Sequence, residues 1–567
     1  MNLHRSVSAR RAAVVVAAVL ACGPQPAATA APEPIAVLTC DAYADLRSQL
    51  TWVGEQVGNP TLAGFAESFI LLATQGKGLA GLDVKRPAGV MITAEGGPVP
   101  TIRALVPVKD LDRLLGAIQG MTGPVEKGAE GVRRISPPGS PAIEITEQDG
   151  WAILSQAGSP ADVGDPLEVI EPLAKDYTLA IELFPARMPA EMRDRLRGAI
   201  DQAAQAAEAQ GQPMDDAVLR GVIDNLDQIE SLLVGLAVDT SAADIHLDIT
   251  TKLVDGPDAV ANWGLADGAV GSIGKPATAD GKPAALRGHY VTTVPAGTEA
   301  AVREGLDRAL DVADDDPALA VVTGVLRDAV AAMIDTGAID AGFTVDTSAA
   351  DGESPLPAIT IGMKIKDGAA FEKLVKERLG KTDSLAPGVT VAFDTGRHAG
   401  ASLHELTLDT AAIPGGGQLV DRAVVTLAIS PDRVHLLVGG DVKKRLDEAV
   451  AHQAAEEARP FVGVEASLAA MVGYAARMKK AFQPDDPQGE ALGMVAEQAA
   501  DKDSTAIRLS VKPVDRGLTI RLSADAGALQ TVAASTSPAP RTAPLTPLRP
   551  ADGRQEPARE GGPSLAP

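Results

Sequence analysis

The chain has 567 residues, of which 45% are hydrophobic and 3% aromatic, with a net charge of −24 and two cysteines. Such a length and composition suit two to four globular domains with a sizeable core. A field of that sign repels phosphate, which excludes nucleic-acid binding and attraction to anionic headgroups, and two cysteines make no disulfide framework.

The first element is a targeting segment. Arg5, Arg10 and Arg11 form a basic region ahead of an apolar run over 12–21, too short to span a bilayer and suited to a signal peptide. Two processing sites follow. V-L-A-C ends at Cys22, a candidate for lipid attachment, and A-T-A ends at Ala30, with small Ala28 and Ala30 where a signal peptidase reads them. The balance leans slightly to Ala30, so the signal peptide is 1–30, or 1–21 in a lipoprotein. Removing residues 1–21 takes away three arginines and no acid, which makes the chain more acidic still. No later segment has the length of uninterrupted apolar residues that a transmembrane helix needs, so membrane contact is expected only if Cys22 is acylated. Cys40 has no partner and reads as a small core hydrophobe.

From residue 35 the chain reads as one unit written twice. At an offset of 257 residues, Asn59-Pro60 meets Asp316-Pro317, each an N-cap candidate, and the stripe Leu62, Phe65, Phe69 meets Leu319, Val322, Leu326 as a core-facing helix. After a slip the same offset carries the alternation Ile102, Ala104, Val106, Val108 onto Ile359, Ile361, Met363, Ile365, and Lys109-Asp110 onto Lys366-Asp367. Both dipeptides open amphipathic helices, with Asp110 and Asp367 as N-caps. Each half ends in a hairpin pattern, from Leu232 and from Thr505, with period-two alternation and one face expected to be buried.

These patterns predict an α+β fold of two tandem pseudo-repeated halves of antiparallel sheet, with amphipathic helices packed on one face. The expected boundaries are 35–270 for the first repeat, 271–283 for a Gly/Pro/Ala-rich linker, 284–530 for the second repeat and 531–567 for a disordered proline-rich tail.

Catalytic patterns are sparse. G-K-G-L-A-G at 76–81 matches a dinucleotide fingerprint in letters only, because it follows a helix, and it reads as a helix C-cap. There is no phosphate-binding loop of the G-x-x-x-x-G-K-[ST] type, no G-x-S-x-G elbow and no H-E-x-x-H helix. His398, His404 and His435 lie on neighbouring strands and are the weak metal candidates, against the plainer reading that they are surface strand residues. Asp314, Asp315 and Asp316 read as a solvated loop, and three tryptophans with four tyrosines disfavour extended sugar recognition. No catalytic residue and no cofactor is indicated.

The stretch KDYTLAIELFPARMPAEMRDRLRGAI from Lys175, followed by the run from Leu219 through Leu253, resembles a family of large exported proteins predicted from planctomycete genomes. Its shared pattern is a strand, a proline-flanked turn, long amphipathic helices and a strand pair. The resemblance implies an exported protein and carries over no activity or site residue. The expected function is therefore a non-enzymatic structural or interaction scaffold of the periplasm or cell envelope, with an envelope protein as partner. The alternative is a periplasmic binding protein for an apolar small molecule, with the helix over 186–208 as a possible lid, and a hydrolase ranks last.

Overall fold

The computed structural model describes residues 33–94, 100–128, 131–136, 141–159, 163–208, 226–255, 284–294, 297, 299–310, 317–348, 356–380, 388–409, 422–451, 461–483, 486–502 and 504–536. The signal segment with Cys22 and Ala30, the linker 271–283 and the Asp314–Asp316 run lie outside them.

The first ten strands are β1 (Pro34–Cys40), β2 (Ala88–Thr93), β3 (Thr101–Pro107), β4 (Val125–Lys127), β5 (Arg133–Ile135), β6 (Ile143–Gln148), β7 (Trp151–Gln156), β8 (Leu179–Leu183), β9 (Ile229–Asp239) and β10 (Asp244–Leu253). Their helices are α1 (Tyr43–Gln56), α2 (Leu62–Ala73), α3 (Leu111–Thr122), α4 (Pro166–Ala174) and α5 (Ala190–Glu208). The next ten strands are β11 (Leu286–Thr293), β12 (Ala338–Asp346), β13 (Ala358–Lys364), β14 (Val389–His398), β15 (Ala401–Asp409), β16 (Arg422–Ser430), β17 (Arg433–Val438), β18 (Val462–Ser467), β19 (Ala506–Val514) and β20 (Gly517–Asp525). With them come α6 (Glu299–Leu310), α7 (Pro317–Ile334), α8 (Gly368–Leu379), α9 (Val442–Ala451), α10 (Leu468–Phe482), α11 (Pro487–Ala500) and α12 (Ala526–Thr536).

Among the described residues, twenty strands join one antiparallel sheet, so the fold is α+β. The pairings give the order β4-β5-β6-β7-β3-β2-β1-β8-β9-β10, then across a seam β20-β19-β18-β11-β12-β13-β17-β16-β15-β14. Each strand of the first ten holds the place that the strand ten numbers later holds on the far side of the seam.

Helices pack on both faces, which corrects the expectation of one covered face. Neighbouring residues along a strand point to opposite sides. Leu105 and Ile153 pack with Met91 and Trp151 against Ile170 of α4, while Val106 and Ala152, one position along, pack against Leu111, Leu114 and Leu115 of α3. Asp110 and Asp367 are the N-caps of α3 and α8, their carboxylates accepting from the N–H of Arg113 and Ala370. Such a cap contributes about 1 kcal/mol.

Three local expectations need amendment. The cap of α2 is Thr61 rather than Asn59, since Asn59 uses its side chain to accept from the Thr61 hydroxyl. Residues 531–536 are helical in α12, so the tail begins later than expected. The stripe of α2 is not core: Phe65, Phe69 and Leu72 are 75%, 67% and 79% exposed. The glycines after it act as a helix stop, with Gly76 at positive φ and its N–H returning to the Leu71 carbonyl.

Candidate interaction face

The seam between the two sets of strands is the antiparallel pair β10–β20, from Asp244 opposite Asp525 to Lys252 opposite Gly517. At its middle Asp248 lies directly opposite Arg521. The guanidinium donates to both carboxylate oxygens at 2.7 Å, and the Tyr177 hydroxyl donates to Oδ2 at 3.0 Å. Burial alone pushes the Asp248 carboxyl up, but the Arg521 hydrogen bonds and charge outweigh it and leave the group below the usual carboxylate range. The same environment pushes the Tyr177 phenol up to about 12, first through burial and then through the Asp248 charge. Gly235, paired with Asp248, makes room for Tyr177: a Cβ there would sit 2.4 Å from the ring.

This polar row faces the covered side. The aliphatic residues on either side of it lie on the opposite face; each hairpin has one more buried face, as expected, and it is the polar one. Leu179, Leu236, Leu247, Leu522, Leu509 and Val464 form one row of directly paired residues across β8, β9, β10, β20, β19 and β18. Ile181, Val234, Ile249, Ile520, Val511 and Val462 form the next row on the same side. None of these is buried, and Leu179, Leu522 and Leu509 are 47%, 47% and 38% exposed. Between them Ala180, Gly235, Asp248 and Gly463 are buried. Full burial of one Leu or Ile is worth about 1.5–3 kcal/mol. On a face of six strands, about 24 Å across at the usual strand spacing, the three exposed leucines leave part of that stabilisation unused. Apolar area gathered in one place, with no charge among its twelve paired residues, is the signature of a surface made to be covered.

The histidine candidates do not converge. His404 lies opposite Leu427 in β16, whereas His435 lies opposite Ala428, one position along and therefore on the other face. His398 pairs with Ala401 on the His435 side, and its Nε2 meets Asp447 Oδ1 of α9 at 2.8 Å. His435 is a core position: burial, and then the charge of Arg433, push its pKa down to about 4. A histidine neutral in the fold and charged when unfolded loses stability as pH falls from its unfolded value of about 6.5 toward 4, by roughly 3 kcal/mol at the lower end. His435→Leu is expected to flatten that dependence, measured by urea denaturation at pH 7 and pH 4.5; an unchanged slope would contradict the core assignment.

A group not foreseen from sequence surrounds His404. Among the described residues, Glu372, Asp394 and His404 offer ligand atoms within 4.8 Å of one another. The ammonium of Lys376 already lies among them, 2.8 Å from Glu372 and 2.9 Å from Asp394. The Asp394 N–H donates to His404 Nδ1 at 3.1 Å, which puts the ring proton on Nε2, facing Glu372 at 3.5 Å. A metal at Nε2 would need that lone pair free, so the donor set does not fit a metal. What it does is mechanical. Asp394 sits at φ 54 inside the bulge of β14, the edge strand, and these contacts hold the bulge in place. No residue type in the sequence marks the group, because it assembles only through the bulge.

Cys40 is half-buried, and burial pushes its thiol up, away from nucleophile behaviour. A cleft of about 1040 Å³ opens between α10 and α11, lined by small residues such as Gly473 and Ala476 with Arg477 and Glu497 of opposite charge. Arg477 is engaged with the Thr347 carbonyl, and the Ser504 hydroxyl at the rim donates to Asp525.

Comparison with protein-family models, curated proteins and solved structures finds no match. The residues themselves carry the functional reading. Among the described residues no helix is long and apolar enough to cross a membrane.

Proposed function

We propose that the chain is an exported, non-enzymatic interaction scaffold of the periplasm or cell envelope. It is built as two copies of one unit fused along the β10–β20 seam, and it uses the outward aliphatic face over that seam to bind an apolar partner surface. The observation that carries the reading is the pair of six-residue aliphatic rows, none of them fully buried and three of their leucines exposed.

The duplication is supported by strand order and by the seam register. Starting from Ala104 and Ile361, which the offset of 257 equates, the cross-strand ladders lead to Ile249 of β10 and to Leu522 of β20, and the shift that equates these two also carries Asp248 onto Arg521. The ion pair thus falls where one position meets its own counterpart. Two identical units would set like charges against each other there, and only a fused pair free to diverge places Asp against Arg. Export rests on the basic and apolar residues ahead of Cys22 and Ala30. The resemblance to large exported proteins is in keeping with it.

Titration with the neutral dye Nile red tests the face. Saturable fluorescence enhancement by the purified protein is expected, and no enhancement would remove the reading. Intact denatured mass decides between an acylated start at Cys22 and a free start after Ala30.

A further inference from the structure

Helix α2 is built inside out. Its buried positions are the small Ala63 and, just past its end, Thr74, while Phe65, Phe69, Leu71 and Leu72 are exposed. The rest of its exposed side, Gly64 and Ser68 with Gln75 and Gly76 beyond the last turn, is small or polar and uncharged. In a chain of which 22% is charged, Glu67 is the one charged residue across 56–76, and it is paired with Arg47 of α1. Met121 of α3, also largely exposed, extends the patch, since the Gln75 side chain lies against its neighbour Gly120.

Both ends of the helix are tied down. At the turn from α1 the Asn59 N–H donates to the Gly54 carbonyl at 2.7 Å, and a Cβ at Gly54 would come within 2.5 Å of the Asn59 oxygen. Gln56 accepts from Gln530 of α12 at 2.7 Å, Lys77 donates to the Gly116 carbonyl of α3 at 2.7 Å, and Leu82 bridges to Val108. Held in this way, α2 keeps its large side chains in water until something else covers them.

Area and charge select what covers them. Two aromatic side chains, at about 150–250 Å² each when fully covered, together with Leu71, Leu72 and Met121 supply on the order of 600 Å². A stable protein–protein contact takes about 800 Å² from each partner, so the patch is too small for a second copy of the chain. A lipid surface needs only one apolar stripe set about 5–10 Å into the boundary between headgroups and acyl chains. At about 18 Å long, α2 is too short to cross a bilayer and long enough to lie along one. The helix carries no lysine or arginine, and the net charge of −24 repels anionic headgroups, so insertion relies on apolar area alone.

We propose that α2 is an interfacial anchor, lying in the plane of a zwitterionic lipid surface with the Phe65 and Phe69 rings among the acyl chains. Strongly curved surfaces are favoured, because their packing gaps admit bulky rings without prior attraction by charge. Membrane contact then does not depend on an acylated Cys22. The anchor goes beyond the proposed function and is separate from the aliphatic face over the seam.

The test is flotation of the full chain beginning at Ala31, which bears no acyl group, on vesicles of phosphatidylcholine. Recovery with small sonicated vesicles is expected, with several-fold less on large extruded ones and less again when phosphatidylglycerol is mixed in. Phe65→Ser with Phe69→Ser should lower recovery by roughly tenfold or more at an unchanged urea midpoint, since both rings are already in water. Phe65→Trp with Phe69→Trp keeps the stripe apolar and should float like the parent, as should Leu509→Glu with Leu522→Glu on the seam face. No flotation of the parent, or flotation that the serine pair leaves intact or the seam pair abolishes, would overturn the anchor. A dimer in sedimentation that the serine pair dissociates would overturn it too, because the stripe would then belong to a second copy. Failure here leaves the seam reading standing, and loss of dye binding at the seam leaves the anchor standing.

Discussion

Arg521→Ala is expected to destabilise the protein by about 2–3 kcal/mol, because it removes two charge-assisted hydrogen bonds from Asp248, while the 41% exposure of Arg521 lets water reach the carboxylate in its place. Asp248 is 1% exposed, and it takes both guanidinium bonds as well as the Tyr177 hydroxyl. Arg521→Lys should recover only part of the loss, since an ammonium cannot make the two parallel bonds. The pH dependence has a defined sign. A carboxyl held below its ordinary value stabilises the fold fully above the unfolded value of about 3.9 and loses that contribution as pH falls through its lower folded value. In Arg521→Ala the pairing that lowers the carboxyl is gone and burial remains, so the variant should become acid-sensitive at higher pH than the parent. Urea denaturation between pH 3 and 7 measures both effects; an unchanged midpoint at pH 7 would show that the seam is not held by this pair.

Leu509→Glu combined with Leu522→Glu should weaken binding more than it weakens the fold. The two leucines are neighbours across β19 and β20, 38% and 47% exposed, so the fold holds part of their surface and a partner can cover the rest. A partner that covers the exposed part of both gains about 2 kcal/mol, and losing that amounts to roughly thirtyfold in affinity. Added carboxylates also need desolvation at the contact, which deepens the loss. The readout is Nile red affinity alongside the urea midpoint. Retained affinity would place the binding surface elsewhere, and a large fall in midpoint would mean the leucines are structural.

The contrast between these variants shows where the sequence speaks clearly. The alternation in the segment from Leu232 to Leu253 identifies β9 and β10 correctly, and the helix caps Asp110 and Asp367 stand where their spacing puts them. Alternation separates two faces without saying which one is covered. Small or polar Gly235, Asp248 and Gly463 are the buried set here, because the Tyr177 ring, the Arg521 guanidinium and the His289 imidazole close over them, and the aliphatic set is the less buried one. For α2 the helical stripe is real, yet a stripe does not state whether it turns to the core or to solvent. The histidines illustrate a third limit. His404 and His435 sit on adjacent strand positions across β15 and β17, and a one-residue difference in register sends them to opposite faces, which only the pairing itself reveals. The clamp of Glu372, Lys376, Asp394 and His404 depends on a bulge, a feature with no strong signal in composition.

The most direct test of the interaction face is photo-crosslinking in the native envelope, with a benzophenone side chain placed at Leu522 and, for comparison, at Lys512, which lies on the other face of the neighbouring strand β19. A discrete adduct from position 522 and none from position 512 is the predicted result. Equal labelling at both positions, or none at 522, would contradict the proposal that the aliphatic face over the seam is what this protein presents to its partner.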